Sequence, residues 1–253
     1  MPTAIPELVP QVLPDAAAVA ERVASLLLKT RLEQPGRPLG LATGRTMEPV
    51  YAALRLRLNA LSAPEREHVR RGWQSFNLDE YVGLGPDDHT SFAAAMQRQL
   101  TQPLGLDPAQ VHLPNGLASD PLAEARRYGA QVAAAGGIGL QLLGLGLNGH
   151  VGFNEPPCPP EAACRCLVLS DQTRQQNAAG FGGDPQNVPR RAITLGLAEI
   201  LAADALVLVV TGSAKTAVLR RLLQEQPNAG LPASWLRGHP RLTLLVDAAA
   251  WPG

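Results

Sequence analysis

Lysine is almost missing from this chain. Lys29 and Lys215 are the only two, and every other basic residue is arginine. Cysteine is also scarce: three residues, at 158, 164 and 166, form an odd, clustered set. No histidine follows them closely, which argues against a zinc site, since zinc needs four good ligands. Residues 1–6 hold no basic stretch leading into an apolar core, so no secretory signal is expected. The three thiols are therefore expected to be free, in a cytoplasmic protein. Charge of one sign is not in excess, with 22 basic residues against 22 acidic. That balance gives no electrostatic footprint for nucleic acid or for a membrane surface. The longest apolar runs, such as Ala205-Leu-Val-Leu-Val-Val210, are strand-length and far short of a membrane span. Repeats, heptads and low-complexity segments are absent.

At 253 residues and 45% hydrophobic composition, the chain can bury a substantial core as one domain, although its length would also admit two. Helix and strand signals alternate along it. Asp15 reads as the N-cap of a helix over 16–28, ended by Gln34-Pro-Gly-Arg-Pro38. Strands are expected at 39–42, 73–78, 138–143, 205–210 and 242–246, with a short apolar element at 192–195. Helices are expected from 47 to 54, from Asp88 to about Gln102, over 120–135 behind Asp120 or Ser119, from the 211–215 stretch through Leu223, and over 232–236. This alternation predicts an α/β fold, a mainly parallel, doubly wound, Rossmann-like sheet with helices on both faces.

The polar clusters all follow strands, so they can share the carboxyl edge of one sheet, where ligands bind. Gly144-Leu-Gly-Leu-Asn-Gly-His-Val-Gly-Phe-Asn-Glu-Pro156 carries four glycines, an imidazole and a carboxylate. His150 and Glu155 are close enough in sequence to meet, as in a common acid/base device. A Gly-rich turn with a surface histidine and a capping glutamate is the plainer reading. Asp79 and Glu80 end another strand, where burial or mutual repulsion can raise a carboxyl toward general-base duty; a turn cap beside a solvated glutamate fits equally. Thr43-Gly-Arg-Thr46, between a strand and a helix start, reads either as a phosphate cradle or as an ordinary βα turn. Lys215 lies at a helix start, where its charge opposes the helix dipole unless an anion is present. His89 reads as a surface or first-turn residue rather than a ligand. The uneven stretch 157–183, rich in proline and glycine, is a candidate lid or an ordinary surface excursion.

Four stretches together resemble the glucosamine-6-phosphate deaminase family, related in fold to the 6-phosphogluconolactonases. They are Leu39-Gly-Leu-Ala-Thr-Gly-Arg-Thr46, Phe76-Asn-Leu-Asp-Glu-Tyr-Val-Gly-Leu84, the loop from Gly144 to Pro156, and Thr211-Gly-Ser-Ala-Lys215. The resemblance covers nearly the whole chain, as one domain over 1–253. It implies conversion of glucosamine 6-phosphate and water to fructose 6-phosphate and ammonia, with neither a metal nor an organic cofactor. On this resemblance Asp79 moves the proton between C2 and C1, and His150 opens the ring by proton transfer at the ring oxygen. Glu155 would hold and tune His150. Asn148 occupies a position that is aspartate in many members, and its lack of charge would leave Glu155 as the main partner. Thr43, Gly44, Arg45 and Thr46 would grip the phosphate with Arg174 and Lys215 as cations, and Glu80 and Gly149 complete the implied binding set.

Departures from the family pattern are local. Arg45 replaces a glycine common in the deaminases, a change that points toward the lactonases, and Met47 replaces a frequent proline. Where some members carry an Arg-x-Lys pair for N-acetylglucosamine 6-phosphate, this chain has Arg165-Cys-Leu167, which predicts no such activation. A lactonase would lack Phe-Asn-Glu-Pro after the histidine and carry Asp-Glu-Arg in place of Asp79-Glu-Tyr81. A non-catalytic sugar-phosphate sensor is the other alternative. The sugar epimer, any homo-oligomer and the role of Cys158, Cys164 and Cys166 are left open by these residues.

Overall fold

Ten strands and nine α-helices are present in the computed structural model, which describes residues 8–253. The expectation about residues 1–6 lies outside them. In chain order the elements are β1 (Gln11–Leu13), α1 (Ala16–Glu33), β2 (Leu39–Leu41), α2 (Glu48–Asn59), α3 (Ala63–Arg71), β3 (Ser75–Asn77) and β4 (Asp79–Tyr81). There follow α4 (Phe92–Met96), α5 (Gln102–Leu104), β5 (Val111–His112), α6 (Pro121–Ala134), β6 (Leu140–Gly144), β7 (Arg165–Val168) and α7 (Asp171–Asn177). The last are β8 (Arg191–Thr194), α8 (Leu197–Leu201), β9 (Ala205–Val210), α9 (Thr216–Gln224) and β10 (Leu242–Asp247).

Seven strands form one sheet in the order β1-β10-β9-β6-β2-β3-β5, and every pairing in it is parallel. β2 is buried at all its residues and β9 at all but the first, so the sheet is covered on both faces by its flanking helices. The chain runs outward from β2 through β3 to β5, then returns to the other side of β2 with β6 and runs outward again. That reversal between β2 and β6 is a topological switch point, where the loops leaving two neighbouring strands diverge and open a crevice. Here those loops are residues 43–46 and 145–156. A Cβ on Gly40 would lie 2.1 Å from Gln141 Oε1 across the β2–β6 pair, so glycine is what lets these two strands close.

The local signals mostly hold. Asp15 Oδ1 caps α1 at Ala18 N, 2.8 Å, and α1 buries the stripe Val19, Val23, Ala24, Leu27 and Leu28. It ends at Glu33 with Gln34 as its C-cap, at the turn expected to stop it, and there Arg31, itself buried, donates to the carbonyls of Gln34 and Arg37. Asp120 caps α6 through Leu122 N and Ala123 N.

Two expectations are corrected. The stretch 73–78 is not one strand leading into a loop: β3 stops at Asn77, and the chain passes into a second, three-stranded antiparallel sheet, β4-β8-β7. Leu78 is the crossing, its N–H donating to Leu41 O and its carbonyl accepting from Leu195 N. The helix expected from Asp88 begins at Phe92, capped by Ser91 Oγ, and is interrupted by a π-helical turn, Gln97–Thr101. The stretch 157–183, a candidate lid or a surface excursion, contains β7 and α7. A small apolar core of Tyr81, Phe153, Leu169, Ala178, Val188 and Ala192 holds that sheet and α7 together. β1 had no pattern to announce it, being three residues that borrow their pairing from β10.

Gly116 sets how the loop after β4 closes, since a Cβ there would lie 2.3 Å from both Leu84 O and Tyr81 O. Backbone cannot retreat as a side chain can, so Gly116→Ala is expected to cost about 1–3 kcal/mol in urea unfolding. Gly36→Ala, where the added methyl meets nothing within 4 Å, should change the midpoint little.

Candidate active site

A cavity of about 670 Å³ opens at the switch point. Its walls include residues 43–46, Asp79, His150 and Lys215, contributed by four separate strand ends. The three polar clusters therefore face one space.

Asp79 is 6% exposed, and its carboxyl makes no hydrogen bond among the described residues. Burial, and secondarily the charge of Glu80, push its carboxyl up to about 8. It sits at the first residue of β4, opposite Thr194. Gly152 permits this, because a Cβ at 152 would approach Thr194 Oγ1 to 3.0 Å and Asp79 Oδ2 to 3.4 Å.

His150 lies flat against the Gly146 backbone. A Cβ at 146 would fall 2.3 Å from Cε1 and 2.4 Å from Cδ2 and Nδ1, so the imidazole occupies the volume glycine vacates. Burial holds its pKa down, at about 4; the Glu155 charge opposes that shift and the Lys215 charge adds to it. Its hydrogen-bond partner is Asn148, whose Oδ1 lies 3.2 Å from His150 N and 2.6 Å from Nδ1. Glu155 acts on the ring only through its charge. Its carboxylate accepts from Ser170 N at 2.9 Å and from the Ser170 and Thr173 hydroxyls, and so anchors the first turn of α7. The expectation that Glu155 holds the imidazole is corrected accordingly: its carboxylate is held by three donors at a helix start and makes no hydrogen bond to the ring. Asn148 and Glu155 line a separate groove of about 800 Å³ on the far side of the loop.

At the other end of the cavity Gly44 adopts φ +115°, a conformation glycine alone takes without strain. Thr43 Oγ1 is buried without a hydrogen-bond partner, a polar group awaiting a donor or acceptor. Lys215 lies in a 3-10 turn, Ser213–Lys215, just ahead of α9. Burial, and then the Arg45 charge, lower its pKa. Two cations that repel each other, neither in an ion pair among the described residues, mark a site for an anion.

Three expected binding residues are not on the cavity wall. Glu80 is buried with its carboxylate accepting from Tyr81 N, Phe92 N and Ala93 N, so it ties α4 to β4. Arg174 donates to the carbonyls of Pro185, Gln186 and Val188 and is paired with Asp171, which fixes the connection into β8. Gly149 has φ +85° and its carbonyl accepts from Ala233 N; a Cβ there would strike Leu231 Cδ1 at 2.2 Å, so its role is backbone fit. The wall is instead completed by residues that were not among the expected binding set: Tyr81, Phe92, Phe153, Gln99, Gln176, Asn177 and Phe181. The aromatic ones form a connected set, Tyr81 lying 4.8 Å from Phe92, 5.4 Å from Phe153 and 5.3 Å from Phe181 by ring centroids. Nothing in the periodicity flags them, although a π-helical turn such as the one carrying Gln99 often marks functional sites. Cys158, Cys164 and Cys166 are free thiols, each pushed up by burial. Among the described residues no cluster of histidine, cysteine and carboxylate groups could hold a metal, and no helix is long and apolar enough to cross a membrane.

The pattern of the glucosamine-6-phosphate isomerases/6-phosphogluconolactonases matches residues 14–244. The chain belongs to that family. It is 40% identical over 240 residues to a glucosamine-6-phosphate deaminase of Rhodopirellula baltica, covering 95% of this chain and 93% of the relative. To the glucosamine-6-phosphate deaminase of Shouchella clausii it is 38% identical, covering 92% of each. Among solved structures, a monomeric glucosamine-6-phosphate deaminase superposes with a TM-score of 0.88 at 35% identity, covering 95% of this chain and 97% of that one. The 6-phosphogluconolactonase of Trypanosoma cruzi superposes with a TM-score of 0.75 at 18% identity, covering 98% of each, which shows the shared fold. As a member of this family the protein is an enzyme of the deaminase kind.

The two shifted groups make opposite contributions to stability. Asp79 ionises near 3.8 when unfolded and near 8 when folded, so across that window the folded state keeps a proton the unfolded chain has lost. Stability therefore falls as pH rises. Asp79→Asn should raise the urea midpoint, by more at about pH 8.5 than at about pH 5. His150 drops from 6.5 to about 4, so its neutral form stabilises the fold above 6.5 and that contribution is lost as pH falls through 4. His150→Gln should make unfolding less acid-sensitive over that interval.

Proposed function

We propose that this protein converts glucosamine 6-phosphate and water to fructose 6-phosphate and ammonia. The observation that carries the reading is the shared cavity: an unpaired buried carboxyl, a neutral imidazole and a two-cation cradle face one space. The identities and TM-score to deaminases, well above those to the lactonase, favour this branch over lactone hydrolysis.

The phosphate sits against residues 43–46 and Lys215, which fixes the far end of the sugar. His150 takes the proton from the anomeric hydroxyl and returns it to the ring oxygen as the C1–O5 bond breaks, leaving an open-chain aldehyde. The C2 hydrogen is acidic only in that form. Asp79 removes it, a proton of the substrate ammonium passes to O1 as the C1=C2 enolamine forms, and Asp79 returns its proton to C1, so the amine-bearing C2 becomes a protonated imine. Water adds at C2, and ammonia leaves to give the ketone. Every step moves protons and water only. The raised carboxyl pKa suits Asp79 to the task, because a base works best near the operating pH; the substrate ammonium beside it favours its ionised form.

Coupled detection of ammonia and fructose 6-phosphate tests the proposal. Asp79→Asn and His150→Gln should each lower kcat by about 10²–10⁴. Lys215→Ala should act on KM, raising it about 10- to 100-fold for loss of one charge-assisted hydrogen bond. Lactone hydrolysis without ammonia release would overturn the reading. Arg165 is engaged with Asn154 Oδ1 at 2.8 Å and Cys158 Sγ at 3.4 Å, and Leu167 beside it offers no charge. Added N-acetylglucosamine 6-phosphate is therefore expected to leave activity at subsaturating substrate unchanged.

A further inference from the structure

Behind the anion end of the cavity stands a carboxylate that does not reach it. Asp247 is the last residue of β10 and is 4% exposed, yet it is not on the cavity wall. β10 pairs with β9 as far as Val246 opposite Val210, which brings Asp247 beside the start of the 211–215 turn. There the Gly212 N–H is shared between its two oxygens, at 3.0 Å each, and Ala250 N donates to Oδ1 at 2.8 Å. Among the described residues it is in no ion pair. A carboxylate out of water is costly unless hydrogen bonds satisfy it, and here backbone donors do so. The turn carrying Asp247 is fastened in its own right. Ala248 N donates to Leu13 O on β1 at 2.8 Å, and Thr216 Oγ1, at the start of α9, to Ala249 O at 3.4 Å.

The peptide that Asp247 grips has an uncommon conformation. Gly212 has φ +88° and ψ 144°, a region that only glycine enters at low cost. Glycine is also free to leave it, so nothing in the residue itself keeps the chain there. From Gly212 the backbone enters the 3-10 turn Ser213–Lys215, closed by Lys215 N donating to Gly212 O at 3.0 Å, and no side chain caps that turn. The direction in which Lys215 leaves the turn therefore follows from the orientation of the Gly212 peptide. Burial and then the Arg45 charge are what depress Lys215, and Asp247 is not among the groups that act on it. The carboxylate thus reaches the lysine through backbone, without neutralising it. We propose that Asp247 is a positioning residue of the anion site: by holding Gly212 with both oxygens it aims Lys215 into the cavity, so that a turn absent from the cavity wall sets the affinity for phosphate. The identity of that anion rests on the deaminase reading; the grip on Gly212 does not.

The test uses the whole chain with inorganic phosphate as the probe, binding being followed by phosphorus-31 line broadening. Asp247→Ala should raise the phosphate dissociation constant about 10-fold, since a binding group misplaced by about 1 Å can cost up to about 10²-fold. Asp247→Asn, which keeps one oxygen for the Gly212 N–H, should recover most of that loss. In a Lys215→Ala background, Asp247→Ala should change the constant by less than about twofold, because the lysine it aims is gone. Gly212→Ala strains the same turn through φ alone, an added Cβ there meeting nothing within 4 Å. It should follow the same pattern in both backgrounds, and it carries the test where Asp247→Ala does not fold. Ser62→Ala removes the capping box of α3, which is not on the cavity wall. It should lower the urea midpoint and leave phosphate binding unchanged, which separates lost stability from lost aim. With glucosamine 6-phosphate the Asp247→Ala loss should appear in KM, with kcat changed by less than about twofold. Unchanged phosphate affinity in Asp247→Ala or Gly212→Ala, an equal loss with and without Lys215, or no recovery in Asp247→Asn overturns the proposal, as does an unaltered chain that binds no phosphate. Phosphate results as expected without ammonia release would sink the deaminase reading alone; ammonia release with unmoved phosphate affinity would sink the positioning role alone.

Discussion

A carboxyl group taken out of water without a partner is among the least favourable things a fold can contain, and Asp79 is such a group. It is held there because β4 follows β3 after a single residue, Leu78, whose hydrogen bonds to Leu41 and Leu195 join the two sheets. The carboxyl cannot withdraw to solvent without breaking that junction. It responds by keeping its proton, which puts a carboxyl that titrates far above its usual range on the wall of the cavity. Neighbouring features depend on this placement. Gly152 leaves room beside it, and Glu80, facing the other way, spends its charge on three backbone donors and keeps a second carboxylate out of the substrate space.

The histidine loop divides its labour in a way that separates position from charge. Asn148 touches the ring; Glu155 reaches it only through the field. Glu155 instead fastens α7, whose residues Gln176 and Asn177 form a wall of the cavity, and Leu147 N donates to Gln176 Oε1 at 3.5 Å as a second tie. The loop that carries the imidazole and the helix that forms this wall are thus tied together. At the opposite end of that wall Phe181 stands edge-on against Tyr81, the residue two places after Asp79. His150, Asp79 and this wall are connected through a short path of packed groups.

Much of this was legible in the amino-acid order, for identifiable reasons. The parallel sheet could be read because its strands are continuous apolar runs, as β9 shows with Leu206, Val207, Leu208, Val209 and Val210 all buried. Asp79, His150, the 43–46 turn and Lys215 were legible because each follows a strand end, and the carboxyl edge of a doubly wound sheet gathers such ends. Arg174 and Glu80 were misplaced because a charged side chain near a site looks the same in sequence whether it faces a ligand or a row of carbonyls. The aromatic wall of Tyr81, Phe92 and Phe181 was not foreseen because its grouping spans about a hundred residues of chain.

Residue order alone determined which groups are available and which strand ends carry them, since hydrophobic periodicity and turn chemistry act over a few residues. The tertiary structure alone decided which of those groups meet. Whether His150 leans on Asn148 or Glu155, and whether a carboxylate faces the cavity or a helix start, turns on hydrogen-bond donors brought in by distant segments. Such donors become neighbours only when the sheet reverses direction between β2 and β6 and the second sheet closes against the first.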